Sequence, residues 1–483
     1  MDGKIGSTMD LTIGEIAAAC GGRLVLGERM KSDIRVTSVV LDSRKVTAGG
    51  VFIATPGERV DGHRFVSSAF EQGVVLAVVS KTPEQLKEEL GSPVTDWGSY
   101  VLVQDTFLAL KEIAEYYRKK RNVKVVGITG SAGKTSTKEF IATVLSEKFA
   151  VLKTEGNFNN EIGVPLTLLR IRPKHQVAVV EMGISNFGEM GRLGRMARPD
   201  ICVITNIGQS HLDNLKTRDG ILKAKSEIFD FMAQDGEVCL NGEDDKLVSL
   251  SEIKGHKPHF FGFGSNSGQE VYVTDVVSQG LWGSDAVIRM TDACARVHVP
   301  LPGIHMVLNA AAAACVARIL GLTPEQIAAG IEKVTPLDGR NKLIRLPKYT
   351  LIDDCYNANP ASMRTALDLL AMADTEKVAI LGDMFGLGEE NAMELHKQAG
   401  AYAAEKGIDR LLFVGELSRH MFQAACERAE ETCQITHFPS LKALFAALEK
   451  EREEYVPDGC TVLIKASHAM EFEKVLDFLR KQG

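Results

Sequence analysis

The 483-residue sequence predicts an α/β protein of three domains, on three observations. Its length exceeds what one hydrophobic core usually serves and fits about three domains. Near-continuous apolar segments such as "QVAVVEMG" and "ICVITNIG" alternate with helical patterns, as expected of parallel strands buried on both faces. The segment "TPLDGRN", with its Pro, Gly and Asp, reads as a linker. The expected spans are 1–104, 105–333 and 334–483.

The first hundred residues carry short strand and helix patterns, "RVTSVVLDSR", "GGVFIAT", "FVSSAFEQGVVLAVVS" and "YVLVQD", and read as a small N-terminal α/β domain. "TFLALKEIAEYYRKKR" has apolar residues at helical spacing and a basic end that suits a helix C-terminus. It leads into the central domain, which opens with "VKVVGIT" and is expected to hold a mainly parallel sheet. "HMVLNAAAAACVARILGL" reads as a strong helix, followed by the helical "TPEQIAAGIEKV". After the linker, "YTLIDDCY", "KVAILGDM", "RLLFVGE" and "TVLIKAS" are each followed by helical sequence, a Rossmann-like α/β pattern. No solenoid repeat or low-complexity tract interrupts the chain.

Composition narrows the function classes. A hydrophobic content of 45% and a charged content of 25% suit a globular chain with large cores. The net charge of −7 argues against a general nucleic-acid or anionic-membrane binder. It leaves room for an anionic small substrate held by local cations. The nine cysteines are odd in number and form no CxxC pair, so neither a disulfide framework nor a zinc site is expected. Such thiols suit a reducing cytosol. "MDGKIGSTMDLTIGEIAAACGG" lacks a basic start with a long apolar run, so no secretory signal is expected. No apolar stretch reaches the roughly 18–20 residues that span a bilayer. A cytoplasmic protein without membrane insertion is the expectation.

The stretch "VVGITGSAGKTSTKEF" (125–140) runs from an apolar strand into a helical pattern. It departs from the strict phosphate-loop spacing, because Ile128 stands where the first glycine belongs. Gly130 and Gly133 let the backbone of Ser131 and Ala132 fold tightly, so that N–H groups face an anion. The helix that follows through Lys134, Thr135 and Ser136 adds the positive end of its dipole. Lys134 is placed to neutralise the β- and γ-phosphates, and the Thr135 hydroxyl to bind Mg²⁺. The central domain is therefore read as a P-loop ATPase domain.

Three further stretches bear on the reaction. "VAVVEMG" ends a strand at Glu181, "ITNIGQSHLDNL" places His211 and Asp213 beyond another, and "ILKAKSEIF" places Lys223 and Lys225 on a helix. In parallel α/β sheets ligands gather at the C-terminal strand ends, so Glu181 and His211 could converge on the phosphate loop and ligate a second metal ion. A hydrogen-bonded loop histidine is the competing reading of His211, whose place beyond a strand favours a ligand; for Lys225 the local sequence favours a solvated helix face.

With these residues in view, the sequence resembles the Mur ligases, an ATP-dependent family that forms amide bonds. "GITGSAGKTS" is the family's form of the loop. The resemblance runs along nearly the whole chain through "DSRKVTAGGVFIATPGERVDGHRF", "EGNFNNEIGVPLTLL", "TNIGQSHLD", "KAKSEIF", "LPGIHMVLNA", "DGR", "DDCYNANPASM" and "LGDMFGLGE". The last two are similar to the member that joins D-alanyl-D-alanine to UDP-N-acetylmuramoyl-tripeptide. The Asp-Asn-Pro motif usual in the ligase adding the third amino acid is missing. So is the Gly-Lys-Gly usual in folylpolyglutamate synthase.

The resemblance implies an N-terminal UDP-sugar-binding domain, a central ATP-binding domain and a monomer. It implies ATP and two Mg²⁺ ions as cofactors, with Thr135 and Glu181 at one metal and His211 at the second. Lys225 aligns with the family lysine that can carry a carbamate, whose anionic oxygens suit a hard cation where an ammonium would repel it. Asn309 would contact adenine, and Met306 stands where the family often carries Asn. Arg340 would reach the ATP phosphates, and Asp353 or Asp354 would meet the ribose or the incoming amine. Ser43, Arg44 and Gly57 to His63 would bind the UDP-sugar, and Asn159 and Asn160 the muramoyl-peptide. Tyr356, Asn357 and Asn359 would join the substrate site. "KASHAM", with Lys465, Ser467 and His468, departs from the Lys-Gly-Ser common in that member. The implied reaction passes the γ-phosphoryl group to a carboxylate, and an amine then displaces phosphate from the acyl phosphate. Another Mur-type ligase with a different donor, a P-loop ATPase switch and an inactive scaffold are the competing readings.

Overall fold

A computed structural model describes residues 9–28, 30–57, 60–90, 97–208, 212–264, 269–336, 339 and 341–483. Three sheets organise the chain. The first comprises β1 (Arg23–Val25), β2 (Val39–Val40), β3 (Val51–Ile53), β4 (Leu76–Val79) and β5 (Tyr100–Leu102), in the order β1-β5-β4-β3-β2. Only its β1–β5 pair is antiparallel.

The second sheet has nine strands. They are β6 (Lys124–Thr129), β7 (Val151–Lys153), β8 (Val177–Glu181), β9 (Ile201–Ile204), β10 (Glu237–Asn241), β11 (His259–Phe263), β12 (Gln269–Ser278), β13 (Ser284–Met290) and β14 (Ala293–Val299). Their order is β14-β13-β12-β11-β10-β9-β6-β8-β7, and the run from β7 to β12 is parallel. β6 thus lies between β8 and β9, so the ends of these three strands share one edge. Every residue of β8 and β9 is buried, as the unbroken apolar runs require.

The chain packs as two units. One holds the residues up to Asp275 with Val287–Val297 and Leu308–Lys333. The other holds Val276–Ala286, His298–Val307 and Val334–Gly483. The first sheet and the β6–β11 part of the second share the first unit because helix Thr106–Lys119 serves both. Asp105 caps it, accepting from the Phe107 and Leu108 N–H groups at 2.7 and 3.0 Å. One core then joins Ile16, Val78 and Val101 to Leu110, Ile113, Val125 and Val180. The Tyr117 hydroxyl donates to the Ile171 carbonyl (2.7 Å), and that of Tyr116 to Glu15 Oε1 (3.1 Å). The expected boundary at residue 104 therefore falls where packing is continuous.

The second unit is built on β15 (Lys342–Arg345), β16 (Thr350–Asp353), β17 (Lys377–Gly382), β18 (Arg410–Val414), β19 (Gln434–Phe438) and β20 (Thr461–Lys465). The order is β15-β16-β20-β17-β18-β19, parallel except for β15 against β16. Successive residues alternate between its two cores. Ile352, Leu381 and Phe413 enter one, and Leu351, Ile380 and Leu412 the other. Among the described residues no helix is long and apolar enough to cross a membrane.

Candidate active site

The phosphate loop follows β6 directly and is held in shape by the end of β9. Gly130 has φ 150°, and a Cβ there would lie 1.9 Å from Thr205 Oγ1. No side chain fits that gap. The Thr205 hydroxyl donates to the Ala132 carbonyl (2.6 Å). Asn206 takes both sides of the same residue: its Oδ1 accepts from the Ala132 N–H (2.9 Å), and its Nδ2 donates to the Ala132 carbonyl (3.1 Å). The Asn206 carbonyl accepts from the Ser131 N–H (3.0 Å), and Ser131 Oγ accepts from the Gly208 N–H (2.9 Å). Gly133, at φ 76°, is the N-cap of helix Lys134–Leu145 and brings no capping side chain to its first-turn donors. The half-buried Ser136 lies in that first turn. Lys134 arcs back so that Nζ donates to the Gly130 carbonyl at 2.8 Å.

Beside the loop stands Glu181, the last residue of β8 and 1% exposed. Its Oε1 accepts from the Thr135 hydroxyl (3.1 Å) and from Asn159 Nδ2 (2.8 Å). Its Oε2 is buried and has no hydrogen-bond partner among the described residues. The buried Lys138 ammonium lies 3.9 Å from Oε2 and is itself satisfied by Glu139 (3.0 Å) and the Thr154 carbonyl (2.9 Å). A hydroxyl and a carboxylate with one orphaned oxygen fit a hard divalent cation that keeps most of its water or takes phosphate oxygens. Among the described residues no cluster of three His, Cys, Asp or Glu side chains offers a protein-only metal cage.

Lys225 lies on helix Arg218–Ser226 and is 2% exposed. Burial first, and then the nearby charge of Lys134, push its ammonium pKa down to about 7. Asn309, on helix Ile304–Ile319, is buried against the loop's helix and accepts from the Thr137 hydroxyl at 2.9 Å. Met306, one turn before it, is buried.

The remaining expected residues are dispersed. Ser43 and Arg44 begin a short 3-10 helix beyond β2, where Arg44 Nε and one terminal nitrogen grip Asp42, each at 2.9 Å. Within the 57–63 segment, His63 is buried between Asp61 Oδ1 (2.6 Å from Nδ1) and the Ser80 N–H, which donates to Nε2 at 2.9 Å. Asn160 serves the backbone, its Oδ1 accepting from Ile162 and Gly163. His211, Arg340, Glu58 and Arg59 lie outside the described residues, as does the side chain of Asp213.

In the second unit Asp353 and Asp354 are both buried. Asp353 accepts from the Gly339 N–H (3.0 Å) and the Cys355 thiol (2.9 Å). Asp354 accepts from the Asn341 N–H (3.2 Å) and from Lys465 Nζ (2.5 Å). Lys465 also donates to the Asn357 carbonyl at 2.9 Å. Tyr356 is exposed, its ring 6.0 Å from that of His468. Asn359 is the N-cap of helix Pro360–Ala371, accepting from the Ser362 N–H at 2.8 Å. The parts played by Lys138, Thr205, Asn206 and Lys465 had no signal in local spacing. The partners of Thr205, Asn206 and Lys465 lie 73 to 111 residues away in sequence.

Comparison with known proteins places this geometry. Family models described as Mur ligase family catalytic domain, Mur ligase middle domain, and Mur ligase glutamate ligase domain match residues 35–127, 128–317 and 339–481. A Bacillus subtilis protein named UDP-N-acetylmuramoyl-tripeptide–D-alanyl-D-alanine ligase is 34% identical over 91% of this chain and 92% of its own. The chain belongs to the Mur ligase family. Its three sheets are the three-domain Mur ligase architecture. A crystal structure of MurF from Acinetobacter baumannii superimposes with a TM-score of 0.86 at 29% identity, covering 99% of each chain. MurF ligase from Thermotoga maritima, in complex with ADP, matches with a TM-score of 0.75 at 27% identity, covering 92% of this chain and 97% of its own. As a Mur ligase, the chain has a fold whose loop, Glu181 and Asn309 converge within one packed unit.

Proposed function

We propose that this Mur ligase joins D-alanyl-D-alanine to the terminal carboxylate of UDP-N-acetylmuramoyl-tripeptide, using ATP, in the supply of peptidoglycan precursors. The observation that carries the reading is the near full-length likeness to the Bacillus subtilis ligase of that name, together with the nucleotide-loop geometry beside Glu181. The Thermotoga maritima complex with ADP supports ATP as the phosphoryl donor. The fold's lack of a membrane-crossing helix among the described residues suits a cytoplasmic enzyme. The family resemblance supports a monomer.

A carboxylate is a poor electrophile in water, so activation must come first. The γ-phosphoryl group moves to the tripeptide carboxylate and gives an acyl phosphate. The free amine of D-alanyl-D-alanine attacks its carbonyl carbon, and the tetrahedral intermediate expels phosphate. The protein's contribution is positioning and charge neutralisation. The backbone from Gly130 to Thr135 cradles the phosphates. Lys134, now resting on its own loop carbonyls, swings its ammonium onto them. Asn309 borders the adenine side, and Asn159 fixes the orientation of Glu181. Thr135 and Glu181 would hold Mg²⁺, which supplies charge neutralisation between the two anionic substrates. His211 is proposed for a second metal and Arg340 for the phosphates.

Lys225 suits carbamylation, because only a neutral amine adds CO₂ and its pKa of about 7 leaves much of it neutral near pH 7. Ser43, Arg44 and the 57–63 segment are proposed for the UDP-sugar, and Asn159, Asn160, Asp354, Tyr356, Asn357 and Asn359 for the peptide and amine. Omitting each substrate in turn from a phosphate-release assay tests the reading. Release that requires ATP, UDP-muramoyl-tripeptide and D-alanyl-D-alanine together is expected. ATP consumption that ignores the dipeptide would move a different donor or an ATPase switch ahead.

A further inference from the structure

Gly339 and Asn341, which read as part of a linker in the sequence, are seated on the loop that follows β16. Three backbone contacts hold them. The Gly339 N–H donates to Asp353 Oδ2 (3.0 Å), the Asn341 N–H to Asp354 Oδ1 (3.2 Å), and the Tyr356 N–H to the Gly339 carbonyl (3.1 Å). The fit is close. Gly339 is left-handed at φ 70°, and a Cβ there would lie 3.0 Å from that of Tyr356. Asn341 is left-handed at φ 53°, a conformation asparagine tolerates better than most residues.

One buried cation is bonded to the seat. Lys465, 1% exposed at the end of β20, donates to Asp354 Oδ2 and to the Asn357 carbonyl. Burial raises the Asp354 carboxyl pKa, and Lys465 pulls against that rise. Removing the ammonium would favour a protonated acid, a weaker acceptor for the Asn341 N–H. Two residues on, Ser467 Oγ accepts from the Phe385 N–H (2.8 Å), so the same strand end also steadies the loop after β17.

We propose that Lys465 is a positioning residue: by pairing with Asp354 and holding the Asn357 carbonyl, it fixes the 353–357 loop as the seat of Gly339 and Asn341. Gly339 and Asn341 are then fixed parts of the C-terminal unit. The kinetic consequence rests on the ligase reading, because residue 340, between the two gripped amides, is the arginine expected to meet the ATP phosphates.

Two measurements on the full-length protein test this. Lys465→Met is expected to raise amide hydrogen exchange at Asn341 and Tyr356 by about tenfold or more, while the core of β17 stays protected. It should lower kcat by about tenfold with the KM for ATP nearly unchanged, and its effect should not multiply with that of Arg340→Ala. The pair Lys465→Met/Asp354→Asn removes both buried charges, so it guards against a variant that merely unfolds. It should fold and still show the faster exchange at Tyr356. Wild-type exchange in both folded variants, or independent multiplication of the Lys465 and Arg340 effects, would overturn the proposal. A wild-type enzyme that makes no UDP-muramoyl-pentapeptide would sink the ligase reading alone, and the exchange result would still decide the seat.

Discussion

At the scale of single residues, the charges around the loop carry most of the chemistry. Lys134 is the cation proposed for the phosphates, so Lys134→Ala should lower kcat by roughly 10²–10³-fold, the usual loss when one charge-stabilising donor is removed. Near-normal turnover in steady-state assays would contradict its role. Lys225 makes a different prediction. Its pKa falls from the ordinary 10.5 to about 7 on folding, so the unfolded chain holds more protons between those values. The burial penalty is full below pH 7 and is relieved as pH rises towards 10.5. Stability in CO₂-free buffer should therefore rise with pH across that window, by an amount on the order of a few kcal/mol. Urea denaturation at neutral and alkaline pH reads this directly. Lys225→Met should be the more stable protein at pH 7 and should lose that rise. Parallel pH profiles for the two proteins would refute it. The Gly-Lys-Thr triplet was legible in the sequence because its chemistry is local. The Thr205 and Asn206 staples were not, since nothing in "TNIG" says that it packs beneath a loop some 74 residues earlier.

At the scale of elements, the loop is as much a product of β9 as of its own glycines. Gly130→Ala places a methyl group against Thr205 in a backbone region closed to alanine. A loss of at least about 2 kcal/mol of stability is expected, with loss of the thermal shift given by MgADP. Wild-type melting and a normal nucleotide shift would show that the close approach does not matter. Asn359 offers a sharper division of labour. Its side chain caps helix Pro360–Ala371, so Asn359→Ala should cost about 1 kcal/mol. If capping is its whole function, the KM for D-alanyl-D-alanine stays unchanged, and a large rise in that KM would assign it to substrate as well. The buried parallel strands were readable as apolar runs. The outer part of the central sheet was not, because β13 alternates buried and exposed residues and so lacks the continuous run that marks β8.

At the scale of the whole molecule, the three sheets follow along the chain in the order the sequence led one to expect, while packing joins the first sheet to the β6–β11 part of the second. The apolar face of Thr106–Lys119 reads as a helix in sequence, but its second partner does not, because contact with the Ile171 region is long-range. The C-terminal linker shows the same limit. "DGRN" has turn chemistry, yet nothing in it says that Gly339 and Asn341 bind Asp353 and Asp354, or that Asp354 pairs with a lysine 111 positions further on. Binding linkage supplies a prediction at this scale. MgATP analogues that bind only the folded protein should stabilise it by about 2.7 kcal/mol at a hundredfold excess over Kd. A Glu181→Gln variant should lose most of that gain, and denaturation with and without nucleotide measures it.

The central claim is that the γ-phosphoryl group goes to a carboxylate. The most direct measurement uses UDP-N-acetylmuramoyl-tripeptide labelled with ¹⁸O in its terminal carboxylate, with ATP and D-alanyl-D-alanine. Mass analysis of the released phosphate and of the UDP product follows. An acyl phosphate requires one labelled oxygen to leave with the phosphate as the pentapeptide forms. Unlabelled phosphate, with ATP consumed, would mean that water and not the carboxylate took the phosphoryl group, and the ligase account would fail.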